Sequence, residues 1–194
     1  MKKKIIPFLV GIITMTAAVG GVSVLIGATL YAPDGRLPEV HAAVGANKNP
    51  ARLLIPSLGI NAAVQRVGLN SQGNIGAPDN FTDVAWFVRS AAPGTVGGVS
   101  VIDGHVDNGL GLAGVFIHLN TIRPGAAVNV VTKGGKTVYF KVTNVTAYNY
   151  ERVPMEKLLQ TSGSSTIRLI TCDGTWVSDQ KTYNKRLVVT AVET

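Results

Sequence analysis

From residue 51 onward, β-favouring residues come in short runs of Val, Ile, Thr and aromatics, broken every few positions by Gly, Pro and Asn. This pattern is that of strands joined by tight turns. It predicts strands over 52–55, 62–67, 99–103, 128–132, 137–145, 166–171 and 186–192, with a loop over 75–80. The clearest hairpin joins 128–132 to 137–145, where the pair Gly134-Gly135 suits a two-residue turn that needs positive φ. Helical signal is thin. The stretch 154–160 (PMEKLLQ) predicts one or two turns with Pro154 in the first, and 112–120 predicts another short helix. Many short strands with few helices predict an all-β sandwich or closed barrel.

The amino-terminal pattern is of another kind. Residues 5–30 carry no charged side chain, and Lys2, Lys3 and Lys4 precede them. At about 1.5 Å per residue such a helix exceeds the roughly 30 Å hydrocarbon core. The lysines predict a cytoplasmic amino terminus, with the rest of the chain outside. A cleaved signal peptide is the rival reading, with a small-residue site around Ala42-Ala43. Its apolar core would be shorter, about 7–15 residues, so length favours an uncleaved anchor. The expected organisation is a Lys cluster and transmembrane signal-anchor over 1–32, a Pro-, Gly- and Asn-rich flexible linker over 33–50, and one catalytic domain over 51–194.

Composition narrows the function classes. Of the 194 residues 46% are hydrophobic and 15% charged, too apolar for a disordered chain. The formal charge of +7 includes the three amino-terminal lysines, and the other cations are scattered among acids. A nucleic-acid footprint needs a basic cluster with interleaved aromatics, so nucleic acid is not an expected partner. The lone Cys172 excludes an internal disulfide and any metal site built on several cysteines. His41, His105 and His118 are too dispersed to suggest zinc; His41 reads as a linker residue and His118 as a structural or surface one.

Three residues could do chemistry together. Cys172 is expected at the end of one strand, His105 just past the end of another, and Arg186 at the start of a third. A thiolate is the nucleophile, and a nearby His105 or Arg186 cation would lower the thiol pKa. Arg186 keeps its charge and can donate to an oxyanion. His105 can protonate a leaving amine. Together they suffice for acyl transfer through a thioester. Each also has an ordinary reading: a buried small hydrophobe, a hydrogen-bonded histidine and a surface charge. Asp103 and Asp107 beside His105 could orient its ring or merely cap turns, and the turn is the favoured reading. Trp86 and Trp176 read as packing rather than as a substrate platform, although Trp176 lies close to Cys172 in sequence, and Tyr139, Tyr148 and Tyr150 read as structural.

These residues resemble the sortase family. The segment Arg168-Leu169-Ile170-Thr171-Cys172 is similar to the family's T-L-x-T-C strand end. Gly104-His105-Val106-Asp107 is similar to its histidine turn, and Asn184-Lys185-Arg186-Leu187 to its arginine strand. Ile55-Pro56-Ser57-Leu58-Gly59-Ile60, Pro93-Gly94, and the stretch from Leu119 to Pro124-Gly125 also match. The form of the histidine turn with Phe116 following looks most like class F, less like D or E. Asp103 departs from the small residue usual before Gly104, and the stretch 109–114 is unusually rich in glycine.

The resemblance implies an eight-stranded β-barrel with one or two short helices, preceded by one transmembrane helix. It implies cleavage of an LPxTG-type sorting signal between Thr and Gly. Cys172 would carry the thioacyl intermediate, and an amine of a peptidoglycan precursor or a pilin would resolve it. Only a minor fraction of enzyme would hold thiolate and imidazolium together. Partners would be exported proteins with carboxy-terminal sorting signals, at the outer face of a bacterial plasma membrane. Candidate substrate contacts are Val153, Pro154, Leu158 and Thr171, the first three alternatively only packing their loop onto the barrel. No cofactor is expected. No metal is expected either, because Glu151 and Glu156 alone fall short of the six to eight oxygens, roughly, that calcium takes. Two alternatives stay open: an L,D-transpeptidase-like peptidoglycan enzyme, and a catalytically inert membrane-tethered β-domain.

Overall fold

The computed structural model describes residues 47–108, 110–160 and 163–194. The expected anchor and most of the expected linker lie outside the described residues, and among these no helix is long and apolar enough to cross a membrane. Eight strands follow in order: β1 (Pro50–Ile55), β2 (Ile60–Val67), β3 (Val84–Phe87), β4 (Val99–Asp103), β5 (Ala127–Thr132), β6 (Thr137–Asn149), β7 (Thr166–Val177) and β8 (Thr182–Glu193). They close into a barrel in the order β1-β2-β3-β4-β7-β8-β6-β5. Two ladders, β2 with β3 and β4 with β7, are parallel, and the others are antiparallel.

The expected strands are present, most of them longer than their pattern suggested. One was missed. Val84-Ala85-Trp86-Phe87 is buried at all four positions, so it lacks the alternation that marks a half-exposed strand. The strand β1 begins at Pro50, and Asn47 and Asn49 already bond through their carbonyls to Gly134 and Lys133.

Three expectations about turns and helices are corrected. The β5–β6 turn is not a two-residue loop on Gly134-Gly135. Gly135 N–H donates to Thr132 O, Thr132 N–H donates to Lys136 O, and only Gly135 has positive φ. This is a three-residue loop closed by a glycine bulge. The expected helix over 112–120 does not form. Gly114 packs against the His105 turn, its N–H bonding Val106 O, so closely that a Cβ would lie 2.4 Å from His105 O. That segment is pinned as an irregular loop, and only Leu119–Thr121 makes a 3-10 turn. The other expected helix is one turn, α1 (Met155–Leu158), with Pro154 capping it from outside rather than sitting in its first turn.

Apolar side chains collect in two clusters. Leu53, Ile55, Ile102, Phe116, Leu119, Val130, Phe140 and Leu169 belong to the larger. Phe87, Val99, Val101, Leu158, Ile170 and Val188 form the smaller, with Val153 and Tyr148 packed against it. Ile102 and Leu169 belong to the first, whereas Val101 and Ile170 belong to the second. Strand alternation therefore puts the two clusters on opposite faces of β4 and β7. The smaller cluster seats the β6–β7 connection on the sheet through Leu158, which is 3% exposed.

Candidate active site

Register brings the three chemistry-bearing residues together. Cys172 on β7 lies directly opposite Arg186 on β8, so their side chains share a face. Ile170 precedes Cys172 by two positions on that face and lies opposite Asp103 on β4. Beyond Asp103 the chain turns at Gly104 into His105. The sequence put Cys172 at the end of its strand and Arg186 at the start of its own, but β7 continues to Val177 and β8 begins at Thr182, so both lie within a longer hairpin. The β7–β8 ladder slips in register between Asp173 and Trp176. Such an irregularity re-aims the residues beyond it, and Trp176 and Tyr183 end as an edge-on pair, 5.5 Å between ring centroids.

The histidine turn is fixed on both sides. Gly104 N–H donates to Ile170 O (3.1 Å), and the Thr171 hydroxyl donates to Gly104 O (2.8 Å). Phe116 lies over Gly104 so closely that a Cβ there would stand 2.5 Å from its ring. His105 Nε2 lies 2.9 Å from Pro78 O. A carbonyl only accepts, so Nε2 carries a hydrogen and Nδ1 is left to take a proton. Phe81 packs beside the imidazole at 4.9 Å.

Arg186 is held by its surroundings. Nη1 donates to the carbonyls of Tyr183 and Lys185, and Nη2 donates to Thr182 Oγ1. The guanidinium lies 4.4 Å over the Tyr150 ring. These bonds use three of five N–H donors, which leaves Nε–H and one Nη2–H for a ligand.

Two cavities meet at the sulfur. One, of about 480 Å³, is lined by Cys172 and His105 with Phe81, Asp107, Trp176 and Tyr183. The other, of about 830 Å³, is lined by Cys172 and His105 with Arg186, Asp103, Tyr150, Val153 and Leu158. Val153 and Leu158 thus both pack the loop and line a cavity. Pro154, partly exposed, caps α1 beside them. Thr171 is 2% exposed, its hydroxyl committed to Gly104, so it ties the site together from beneath.

Several side chains have roles that the sequence did not reveal. Trp176 is 51% exposed and lines a cavity rather than packing in the core, unlike Trp86, which is buried. Tyr150 supports Arg186 rather than only its own loop. Neither acid caps a turn as expected: Asp103 ends β4 in the cavity wall, and Asp107 accepts a hydrogen bond from the Tyr183 hydroxyl. That bond is the main reason the Tyr183 phenol is pushed up to about 12. The register between β7 and β8 was the missing signal, because it decides which tyrosine faces which partner. His118 is exposed. Among the described residues no group of three His, Cys, Asp or Glu side chains could hold a metal ion.

Burial outweighs the expected effect of the cations. Arg186 does lower the Cys172 thiol, yet the thiol is raised overall. Burial is the largest cause; Arg186 pulls the other way, while Asp103 and Asp107 add to the rise. The resting nucleophile is therefore a thiol, and attack requires its proton to move to a neighbouring base.

Comparison with known proteins identifies the fold and the family. Comparison with curated protein sequences gave no match. Among solved structures, a lid mutant of sortase A from Corynebacterium diphtheriae superposes with a TM-score of 0.59 at 21% identity, covering 75% of this chain and 69% of that one. Sortase C-1 from Actinomyces oris gives 0.58 at 25% identity, covering 74% and 72%. Sortase C2 of Group B Streptococcus Pilus Island 1 gives 0.57 at 19%, again covering 74% and 72%. The sortase-domain family model matches residues 53–194. The chain thus belongs to the sortase family of cysteine transpeptidases, neither an L,D-transpeptidase nor an inert tethered domain.

Proposed function

We propose that the protein cleaves an LPxTG-type sorting signal between Thr and Gly and transfers the new acyl group to an amine. The observation that carries this reading is the position of Cys172 and His105 in the walls of two cavities at once. Transpeptidation needs two substrates in turn at one sulfur, and two approaches to it supply that. The Arg186 cavity suits the acyl donor, because the oxyanion must form within reach of the free guanidinium N–H groups. Val153 and Leu158 give it an apolar wall.

In the first half-reaction the Cys172 proton passes to His105 Nδ1 as sulfur attacks the Thr carbonyl. Arg186 stabilises the oxyanion. His105 then protonates the departing Gly amine as the C–N bond breaks, leaving the thioester. In the second half an amine of a peptidoglycan precursor or a pilin gives its proton to His105 and displaces the sulfur.

The Gly104-His105-Val106-Asp107 turn followed by Phe116 supports a place in class F. The charge-free segment behind Lys2, Lys3 and Lys4 supports a single-pass anchor in a bacterial plasma membrane, with the barrel on the outer face. Exported substrates require that side.

The test is to incubate the protein with a set of LPxTG-like peptides and to locate the adduct by mass spectrometry. A thioester on Cys172 ending at the peptide's Thr, absent in Cys172→Ala, is the expected result. Absence of an adduct, or an adduct elsewhere, would overturn the reading.

A further inference from the structure

A carboxyl group lies on the face of the sheet that carries the nucleophile. Asp103 pairs with Ile170 across the parallel β4–β7 ladder, and Ile170 is two residues from Cys172. Arg186 stands opposite Cys172. Asp103, Cys172 and Arg186 are therefore neighbours on three successive strands, and all three line the larger cavity. Diagonal neighbours in a sheet lie about 7–8 Å apart, within reach of charge interaction.

From these positions we propose that Asp103 is a positioning residue of the active site, setting how much of the Arg186 charge is available and how readily Cys172 gives up its proton. The assignment rests on the sortase reading for its use in catalysis, but not for the coupling itself. As a neutral acid, Asp103 leaves Arg186 a full cation for the oxyanion and does not oppose a thiolate. As a carboxylate, it compensates Arg186 and repels the thiolate.

The groups facing Asp103 agree with this. On β3 its partner is Ala85, which is buried and apolar. On β7 the titratable neighbour besides Cys172 is Arg168, whose guanidinium is committed to the carbonyls of Lys157 and Gln160. The β6–β7 connection brings Glu151 and Tyr150 to the cavity, the β7–β8 turn brings Lys181, and the adjoining turn brings His105. Of these cations it is Arg186 on β8 whose charge pulls the Asp103 carboxyl down, while burial pushes it up more strongly, to about 7. Both forms of Asp103 are thus populated near neutral pH. The effect is reciprocal, since Asp103 and Asp107 both raise the Cys172 thiol.

The experiment is the pH dependence of Cys172 alkylation by iodoacetamide in the full-length chain, with Asp103 or with Asp103→Asn. Both are made in a His105→Asn background so that the imidazole does not contribute. Asp103→Asn is expected to lose an inflection near neutrality and to react roughly three- to tenfold faster at pH 7.5, as a lower thiol pKa requires. Superimposable profiles would overturn the proposal. Carboxyl carbon NMR of the unmodified protein gives a second measurement independent of any variant. A carboxyl titrating near neutrality that moves when Cys172 is capped with acetamide supports the coupling, and no such carboxyl refutes it. A peptide thioester with superimposable alkylation profiles would sink the coupling alone. Altered profiles without any thioester would sink the sortase reading alone.

Discussion

Thr171 donates its hydroxyl hydrogen to the carbonyl oxygen of Gly104 at 2.8 Å, inside the protein and across 67 residues of sequence. The residue before the nucleophile is thereby tied to the residue before the histidine. Both ends of the tie are buried, so losing one partner leaves the other without water or replacement. Thr171→Val should cost about 1–3 kcal/mol of stability. It should also slow acylation while Thr171→Ser retains the bond. Denaturant unfolding and single-turnover acylation of both variants check this; equal behaviour of Val and Ser would contradict it.

Gly104 has no room for a side chain. A Cβ would sit 2.5 Å from the Phe116 ring, which is itself 1% exposed and cannot withdraw. Gly104→Ala should lower stability by about 1–3 kcal/mol through overpacking. Thermal unfolding measures it. Phe116→Leu in the same chain should restore part of the loss by making room.

Arg186 is held by a fork of bonds and by the Tyr150 ring. A lysine has no planar group to stack or to donate twice. Arg186→Lys should therefore lose turnover almost as severely as Arg186→Ala, on the order of 10²–10³-fold. Steady-state transpeptidation of a sorting-signal peptide decides it, and near-normal turnover of the lysine variant would remove Arg186 from the role assigned.

Asp103 makes stability depend on pH with a definite sign. Its folded pKa stands above the ordinary 3.8, at about 7. A group raised in this way contributes fully below its unfolded pKa and loses that contribution as pH rises through the folded one. The loss falls between about pH 4 and 7 and amounts to at most roughly 4 kcal/mol. Asp103→Asn should flatten that decline, becoming the more stable protein relative to wild type at pH 8 than at pH 4. Urea unfolding at the two pH values measures the difference.

Leu158 joins the β6–β7 connection to the sheet and walls the larger cavity. Leu158→Ala should cost about 2–5 kcal/mol if the site fails to collapse. It should also raise KM for the peptide more than it lowers kcat, a split that separate determination of the two constants resolves.

Much of this was legible in the sequence, for identifiable reasons. Runs of Val, Ile, Thr and aromatics between turn residues marked most strands, and at 137–143 the burial does alternate because one face is wet. Val84-Ala85-Trp86-Phe87 escaped because a strand buried on both faces does not alternate. Cys172, His105 and Arg186 could be singled out by chemistry, but the partners that hold them are long-range. Pro78 behind His105, Tyr150 beneath Arg186 and Phe116 over Gly104 are set by register and loop packing. The net direction of the thiol shift was not legible because charge can be counted in a sequence and burial at a given sulfur cannot.

The parallel β4–β7 ladder has a consequence for how the molecule matures. Parallel neighbours cannot be joined by a tight hairpin, and here the whole β5–β6 excursion intervenes between them. Such distant pairing is expected among the slower steps of assembly. His105 follows β4 and Cys172 lies on β7, so this ladder is what brings both to the same cavity walls. A chain that has not yet formed this ladder is thus expected to carry an idle thiol, and the onset of activity should follow barrel closure.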